Sequence, residues 1–357
     1  PFSSRRRHTR SYLKSRGLGD VYKRQLCGEF VTDHSLASNT NLLNIRKRTW
    51  DEGLLGLFEV DRNHLCDLVE PGSVCGHTTA DCRRLKNIPI GSPVISAGGD
   101  QQCAALGLGI SREGKLKCTT GTGSYLIAHV DSPVFDEQKR FLCKISAIPG
   151  SYNLEAGLLT TGTVYRWFLE QFYPPHQGGT EIEEINREVL SSPPGANGIL
   201  VLPHFEGSGA PHWNPRDTGV FYNMTLSTTR ADMARAVVES IVMEMGENVS
   251  LFKNKLGQVS RVCVSGGMTK FAPYNQLQAD VYGSEVALYP NMESTSLGAW
   301  ISAVVSCGIY TTHDDAFQVV QPSGSEKISK PDKNQHRFYT DLSRKRKNLY
   351  QALQSVY

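Results

Sequence analysis

Two short apolar runs in this chain end in a glycine pair and pass at once into a helix-forming stretch: Pro93-Val-Ile-Ser-Ala-Gly-Gly-Asp100-Gln-Gln and Val262-Cys-Val-Ser-Gly266-Gly267. A strand that yields to a helix through a tight glycine turn is the building unit of an α/β sheet. Such sheets bind ligands at the carboxyl ends of their strands, where these glycines lie. Between the two units, Thr119-Thr-Gly-Thr-Gly-Ser-Tyr125 offers hydroxyls and glycine-flanked backbone amides in one turn.

The surrounding pattern extends the α/β reading. Pro93–Ser96 is expected to be a buried parallel strand. Leu116–Thr119 and Ser124–His129 read as strands joined by a hairpin at Gly121 and Gly123. Tyr152–Glu155, Gly198–Pro203, Val262–Ser265 and Glu285–Tyr289 read as further strands. Helices are expected over Trp50–Phe58, Gln101–Leu108, Gly162–Phe172, Thr229–Asn248, from Ser296, and over 337–357. Ala234, Val237, Val238, Ile241 and Met245 form one apolar stripe, expected to be core. The stretches from Pro174 to Gly179, from Ser191 to Gly195 and from Phe205 to Pro215 read as loops.

Bulk properties exclude several classes. No window reaches the eighteen or so apolar residues that a membrane helix needs, and no secretory signal is evident, so a cytoplasmic location is expected. The nine cysteines include no Cys-x-x-Cys pair. Cys66, Cys75 and Cys82 lie near His64 and His77, but their spacing fits no standard zinc site, and reduced thiols are expected. The formal charge is +3, yet residues 1–25 hold eight Lys/Arg and one Asp. Without them, 30 basic residues face 34 acidic ones, a net charge of −4. The basic character therefore belongs to one short segment. Residues 1–25 are expected to be a disordered, adapter-like, non-native leader, and no nucleic-acid or membrane partner is expected. A homo-oligomer is compatible with the sequence.

Asp100 follows Gly98-Gly99, so little side-chain bulk blocks its approach. It can accept a proton from an attacking hydroxyl, help hold Mg²⁺, or simply cap a helix; this segment alone favours none of these. Gln101 and Gln102 are amides able to read sugar hydroxyls. Thr119–Ser124 suits phosphate oxygens, although a Gly-x-Gly hairpin is more often only a turn. Gly266-Gly267 at a strand–helix junction can receive a phosphate or a nucleoside. There is no Gly-x-x-x-x-Gly-Lys-Ser/Thr loop, no protein-kinase motif set and no dinucleotide fingerprint.

Taken in order, these segments resemble the FGGY family of carbohydrate kinases, which includes glycerol and xylulose kinases. The resemblance rests on Gly98-Gly-Asp-Gln-Gln102, Lys117-Cys-Thr-Thr-Gly-Thr-Gly-Ser-Tyr125, Gly162 with Arg166-Trp167, Phe205-Glu-Gly-Ser-Gly-Ala-Pro-His-Trp213, Gly219-Val-Phe221 leading to Arg235-Ala-Val-Val-Glu239, Ser265-Gly-Gly267 and Leu297-Gly-Ala299. It implies an actin-like, ribonuclease H-like fold with two lobes, and ATP with Mg²⁺ and a sugar or polyol in the cleft between them. On that pattern Asp100 is the catalytic base, substrate contact and Mg²⁺ neighbour, and Gln101 is a substrate contact. Thr122 and Gly162 are phosphate-side ATP contacts, and Gly266 and Gly267 lie on the adenosine side. Asn223 departs from a family glycine, and Arg166 stands where glycerol kinases carry Gln.

The family's opening Asp-x-Gly-Thr turn is missing, so most of the first lobe is expected to be absent and the chain alone inactive. Residues 26–109 are expected to be the remainder of the sugar-binding lobe and residues 110–357 the nucleotide-binding lobe. A ketose such as xylulose is the preferred acceptor, with glycerol as an alternative. A non-catalytic nucleotide binder is the alternative of another class.

Overall fold

A computed structural model describes residues 18–356, except 81, 83–87, 174–179, 258 and 291–292. Residues 1–17 of the expected leader and the loop expected at Pro174–Gly179 lie outside the described residues. The leader's expected end is corrected. Leu18–Cys27 forms a helix, α1, and Lys23 within it is buried, donating to the Ser96 hydroxyl at 2.8 Å. A basic composition suggested foreign sequence, but a lysine can bury its stem against packed structure while its amine finds an oxygen.

The architecture centres on one seven-stranded mixed sheet. Its strands in chain order are β1 (Lys115–Thr120), β2 (Ser124–Val130), β3 (Leu142–Ile145), β4 (Tyr152–Leu158), β5 (Arg261–Ser265), β6 (Glu285–Leu288) and β7 (Lys327–Ser329). In space they run β7-β6-β5-β1-β2-β4-β3. The pairs β6–β5 and β5–β1 are parallel and the other four are antiparallel. The hairpin expected at Gly121 and Gly123 joins β1 to β2, with Thr120 opposite Ser124.

Alternation along the strands divides the core between the two faces. Leu116, Cys118, Leu126, Val262, Val264 and Val286 pack with residues of α3 (Gly162–Phe172), α5 (Arg230–Leu256) and α6 (Ala272–Tyr282). Ile127, Cys263 and Ala287 point the other way, toward α2 (Asp100–Gly107) and α7 (Ser294–Ser306). The α2–α7 crossing is close because both helices carry small residues. A Cβ on Gly298 would stand 1.8 Å from the Cys103 carbonyl oxygen, and one on Gly107 1.9 Å from that of Ser294. Gly298 of the Leu297-Gly-Ala segment is thus a packing residue that fixes α2, and with it Asp100, to the sheet.

The long helix α5 begins with a capping box between Thr229 and Asp232. Its expected stripe from Ala234 to Met245 is buried. Two further helices pack on this frame: α4 (Glu181–Ser191), on α5, and the C-terminal α8 (Lys333–Leu353), on α5 and α6.

One strand differs from expectation. Pro93–Ser96 pairs antiparallel with Ser73–His77 in a separate two-stranded ladder. Pro93 can open the strand because it has no N–H to lose there. Only Val94 and Ser96 of the run are buried, so it is not a fully covered parallel strand. Asn223 takes φ +66°, the left-handed conformation a glycine would use there, and its side-chain amide donates to the Gly198 carbonyl at 3.1 Å. Asn tolerates that region better than most residues, so the turn is kept.

Candidate functional site

The parallel pairing of β1 with β5 brings the ends of the two strands together, with Thr119 opposite Ser265. Their hydroxyls hydrogen-bond at 2.8 Å. Beyond that bond each strand turns on glycine. Gly266 has φ +105°, and a Cβ on it would lie 2.1 Å from the Thr120 carbonyl oxygen. Only glycine fits this approach. A short 3₁₀ turn, Gly267–Lys270, follows before α6.

The start of α3 clamps the β1–β2 turn. The amide of Gly162 donates to the Gly121 carbonyl at 3.1 Å. Those of Thr161 and Thr163 both donate to the Thr122 carbonyl, at 3.2 and 3.3 Å. The Ser124 hydroxyl donates to that of Thr161 at 2.9 Å. With its carbonyl engaged, Thr122 presents an exposed side chain to the space between β1, α3 and the Gly266-Gly267 turn.

That space is a cavity of about 610 Å³, with Thr122, Gly162 and Gly267 in its lining. Apolar lining comes from separate helices: Leu169 of α3, Val238 of α5, and Met268, Phe271 and Tyr274 around the start of α6. Val238 belongs to the stripe expected to be core only, so one residue of that stripe also lines the cavity. Arg166 and Lys270 add two exposed cations, and neither meets a carboxylate among the described residues. An apolar wall, a glycine-threonine turn and two unpaired cations suit a ligand with a flat apolar part and an anionic part.

Three of the expected nucleotide-side residues, Thr122, Gly162 and Gly267, therefore meet at one cavity. Gly266 is not in that lining and shapes the turn. The residues Leu169 and Tyr274 escaped sequence reasoning, because amphipathic spacing does not distinguish a core residue from a cavity wall.

Asp100 and Gln101 lie outside this lining. Asp100 is the first residue of α2, with Gly99 as the cap. Asp100 is exposed, and its Oδ1 accepts the Gln101 amide hydrogen at 2.7 Å. The helix-cap alternative is corrected: Gly99 is the cap and no side chain makes a cap bond, while the Asp100 carboxylate is exposed. Gln102 differs from expectation: it is buried against Gly99 and offers nothing to the surface.

The turn before Asp100 is held from below by Asp33, a fully buried carboxylate that sequence reasoning missed. One of its oxygens accepts from the Ser35 amide and hydroxyl, the other from the Ser96 hydroxyl at 2.7 Å. The Ser35 hydroxyl in turn accepts the Gly99 amide at 2.8 Å. Gln101 connects the two regions, accepting from the Lys117 amine on β1 at 2.5 Å. From Lys117, β1 runs three residues, about 10 Å, to Thr120 at the cavity.

Among the described residues no group of three or more His, Cys, Asp or Glu is arranged to hold a metal ion, and no helix is long and apolar enough to cross a membrane.

Comparison with known proteins places these features. The chain is 32% identical over 283 residues to a glycerol kinase from Alkalilimnicola ehrlichii, covering 78% of this chain and 55% of that one. It is 28% identical over 356 residues to a gluconokinase from Bacillus licheniformis, covering 96% of this chain and 67% of that one. The chain thus spans between about half and two thirds of the length of these relatives. Among solved structures, a xylulose kinase from Lactobacillus acidophilus superimposes with a TM-score of 0.86 at 22% identity, over 94% of this chain and 67% of that one. The likeness shows the fold, an actin-like ATPase fold.

The C-terminal domain model of the FGGY carbohydrate kinases matches residues 116–307, and the N-terminal domain model matches residues 14–107. The second match enters the expected leader and covers the segment before Asp100. It does not support the expectation that most of the first lobe is missing. With both domains matched in order, the chain belongs to the FGGY family of carbohydrate kinases.

Proposed function

We propose that this protein transfers the terminal phosphoryl group of ATP to a hydroxyl of a small sugar or polyol. The observation that carries the reading is the cavity that gathers Thr122, Gly162 and Gly267 with apolar residues and two exposed cations, joined through β1 and Lys117 to the Asp100 end of α2. The base of ATP would lie against Met268, Phe271 and Tyr274, with Gly266 and Gly267 on the adenosine side. The phosphates would meet Thr122, the start of α3 at Gly162, and the Arg166 and Lys270 cations. Residues 26–109 would face the acceptor, and residues 110–357 would hold the nucleotide.

Asp100 is the general base: an exposed carboxylate positioned to take the proton of the attacking hydroxyl. Gln101 contacts another oxygen of the acceptor. Phosphoryl transfer asks the protein chiefly for positioning and charge stabilisation, and both are features of this arrangement. Mg²⁺ usually keeps water and phosphate ligands beside one or two carboxylates, a pattern that Asp100 fits. Bound with ATP, the ion would offset phosphate charge.

The acceptor we favour is a ketose such as xylulose; the Asp100-Gln-Gln102 segment and the glycerol kinase relative support glycerol as a second reading. Acceptor-dependent ADP release with D-xylulose, glycerol and gluconate tests the proposal. Turnover with one of them is expected. ATP binding with no acceptor-dependent turnover would instead favour a non-catalytic nucleotide binder.

A further inference from the structure

Lys117 occupies a position on β1 that its neighbours fill with apolar side chains. It alternates with Leu116 and Cys118 and so faces the other side of the sheet, toward α2. In register it stands beside Cys263 of β5 and Ile127 of β2, and Ile127 stands beside Glu155 of β4. Lys117 is completely buried. Burial pushes its amine down to about 8, opposed by the nearby charges of Glu155, Cys118 and Asp100, while Lys144 adds to the lowering. A buried amine is costly unless it has a partner. It donates to the Oε1 of Gln101 at 2.5 Å.

The chemistry of that contact settles how the Gln101 side chain is turned. An ammonium has donors and no acceptor, so Lys117 can hold only the carbonyl oxygen of the amide. The Gln101 NH₂ group is thereby directed away from Lys117. Gln101 is half-buried and adjoins the exposed Asp100, so the NH₂ group can serve a ligand there. A free glutamine can present either end; this one is restricted to donating.

We infer that Lys117 is a positioning residue that locks Gln101 as a hydrogen-bond donor beside Asp100, and so selects acceptors with an oxygen lone pair next to the hydroxyl that is phosphorylated. Vicinal polyols and α-hydroxy ketones meet that requirement. An acceptor without the neighbouring oxygen leaves the oriented NH₂ group unpaired. This rests on the reading of Asp100 and Gln101 as the acceptor side of the site.

The test measures acceptor-dependent ADP release by the wild type, K117M, Q101L and the double variant. The acceptors are glycerol, D-xylulose and 1,3-propanediol, which has terminal hydroxyls and no vicinal oxygen. The wild type should favour its better acceptor over 1,3-propanediol by about tenfold or more in kcat/KM, the scale of one hydrogen bond to an oriented group. K117M should raise KM for that acceptor about tenfold, leave KM for ATP unchanged, and erase the preference. The double variant should be no worse than Q101L alone, because Lys117 acts through Gln101. An unchanged acceptor KM in K117M, or a double variant with additive losses, would overturn the inference while leaving the kinase reading intact. No turnover by the wild type with any acceptor would overturn both.

Methionine is close to lysine in size and apolar, and the nearby Glu155 keeps Lys144 as its partner at 2.6 Å, so K117M should fold. If it does not fold, the Lys117 amine is titrated by NMR in Q101E. A raised pKa supports the contact, and an unchanged one overturns the inference.

Discussion

The backbone amide of Gly162 donates to the carbonyl of Gly121 at 3.1 Å, and the two glycines lie so close that a Cβ on Gly162 would fall 2.1 Å from that oxygen. The first turn of α3 is thus seated on the β1–β2 hairpin. Gly162→Ala must push the helix and the hairpin apart. A loss of about 1–3 kcal/mol in stability is expected, as for other overpacked sites, together with weaker ATP binding. Thermal melts and an ATP titration check this; wild-type values in both would show that the contact does not shape the cavity.

Gly267 behaves oppositely. It lies two residues beyond the end of β5, and no heavy atom stands within 4 Å of a Cβ built on it. Gly267→Ala should leave stability within about 0.5 kcal/mol of wild type, as for a substitution that meets nothing. The added methyl enters the space proposed for adenosine, so the Kd for ATP should rise about tenfold, some 1.4 kcal/mol. Unchanged ATP affinity would remove Gly267 from the site.

The exposed cations give a charge test. Lys270→Ala and Arg166→Ala should each weaken ATP binding while leaving adenosine binding nearly unchanged, because adenosine lacks the phosphates. The loss should shrink as salt is raised, since exposed charges are screened over about 10 Å at 0.1 M. Titrations with both ligands at two salt concentrations decide it; equal losses for ATP and adenosine would mean that the cations do not face phosphate.

Acid stability should depend on the junction between α5 and α8. Arg346 of α8 bonds Glu244 and, at 3.1 Å, Glu247 of α5. His204 approaches the same Glu244 at 3.3 Å. Burial alone would raise the Glu244 carboxyl, but Arg346 and His204 outweigh it and hold the group well below the ordinary value of 4.5. Glu247 is also lowered: burial opposes the change, and His212 and Arg346 cause it.

A lowered carboxyl contributes stability that is present above its unfolded pKa and lost as pH falls below it. Denaturant unfolding should therefore show declining stability as pH falls below about 4.5. Arg346→Met should cost about 3–5 kcal/mol at pH 7, because buried carboxylates lose their partner. It should also flatten or reverse the acid decline, since burial then favours the protonated form. A decline as steep as the wild type's would contradict the assignment.

The legible parts of the fold were local. The hairpin at Gly121 and Gly123, α3 from Gly162 to Phe172 and the start of α5 after Thr229 all follow from turn chemistry and apolar spacing within a few residues. The illegible parts depend on distant partners. Pro93–Ser96 was read as a parallel strand because its true partner, Ser73–His77, carries no strong strand signal. Lys117 looked like an ordinary strand residue until the sheet placed it under α2. The cavity wall draws on α3, α5 and α6, whose apolar residues look like core in any one of them. Glu244 and Arg346 are separated by 102 residues, and no local pattern links them.

Asp100 carries the central claim, and its substitution by asparagine keeps the shape while removing the base. The decisive measurement is acceptor-dependent ADP release by the wild type and Asp100→Asn, with ATP binding measured alongside. The expected result is turnover by the wild type with at least one sugar or polyol, and a loss in Asp100→Asn of roughly 10²–10⁴-fold, about 3–5 kcal/mol in barrier, with ATP affinity retained. No turnover by the wild type, or turnover by Asp100→Asn close to the wild-type rate, would contradict the account and return Asp100 to a helix-end role.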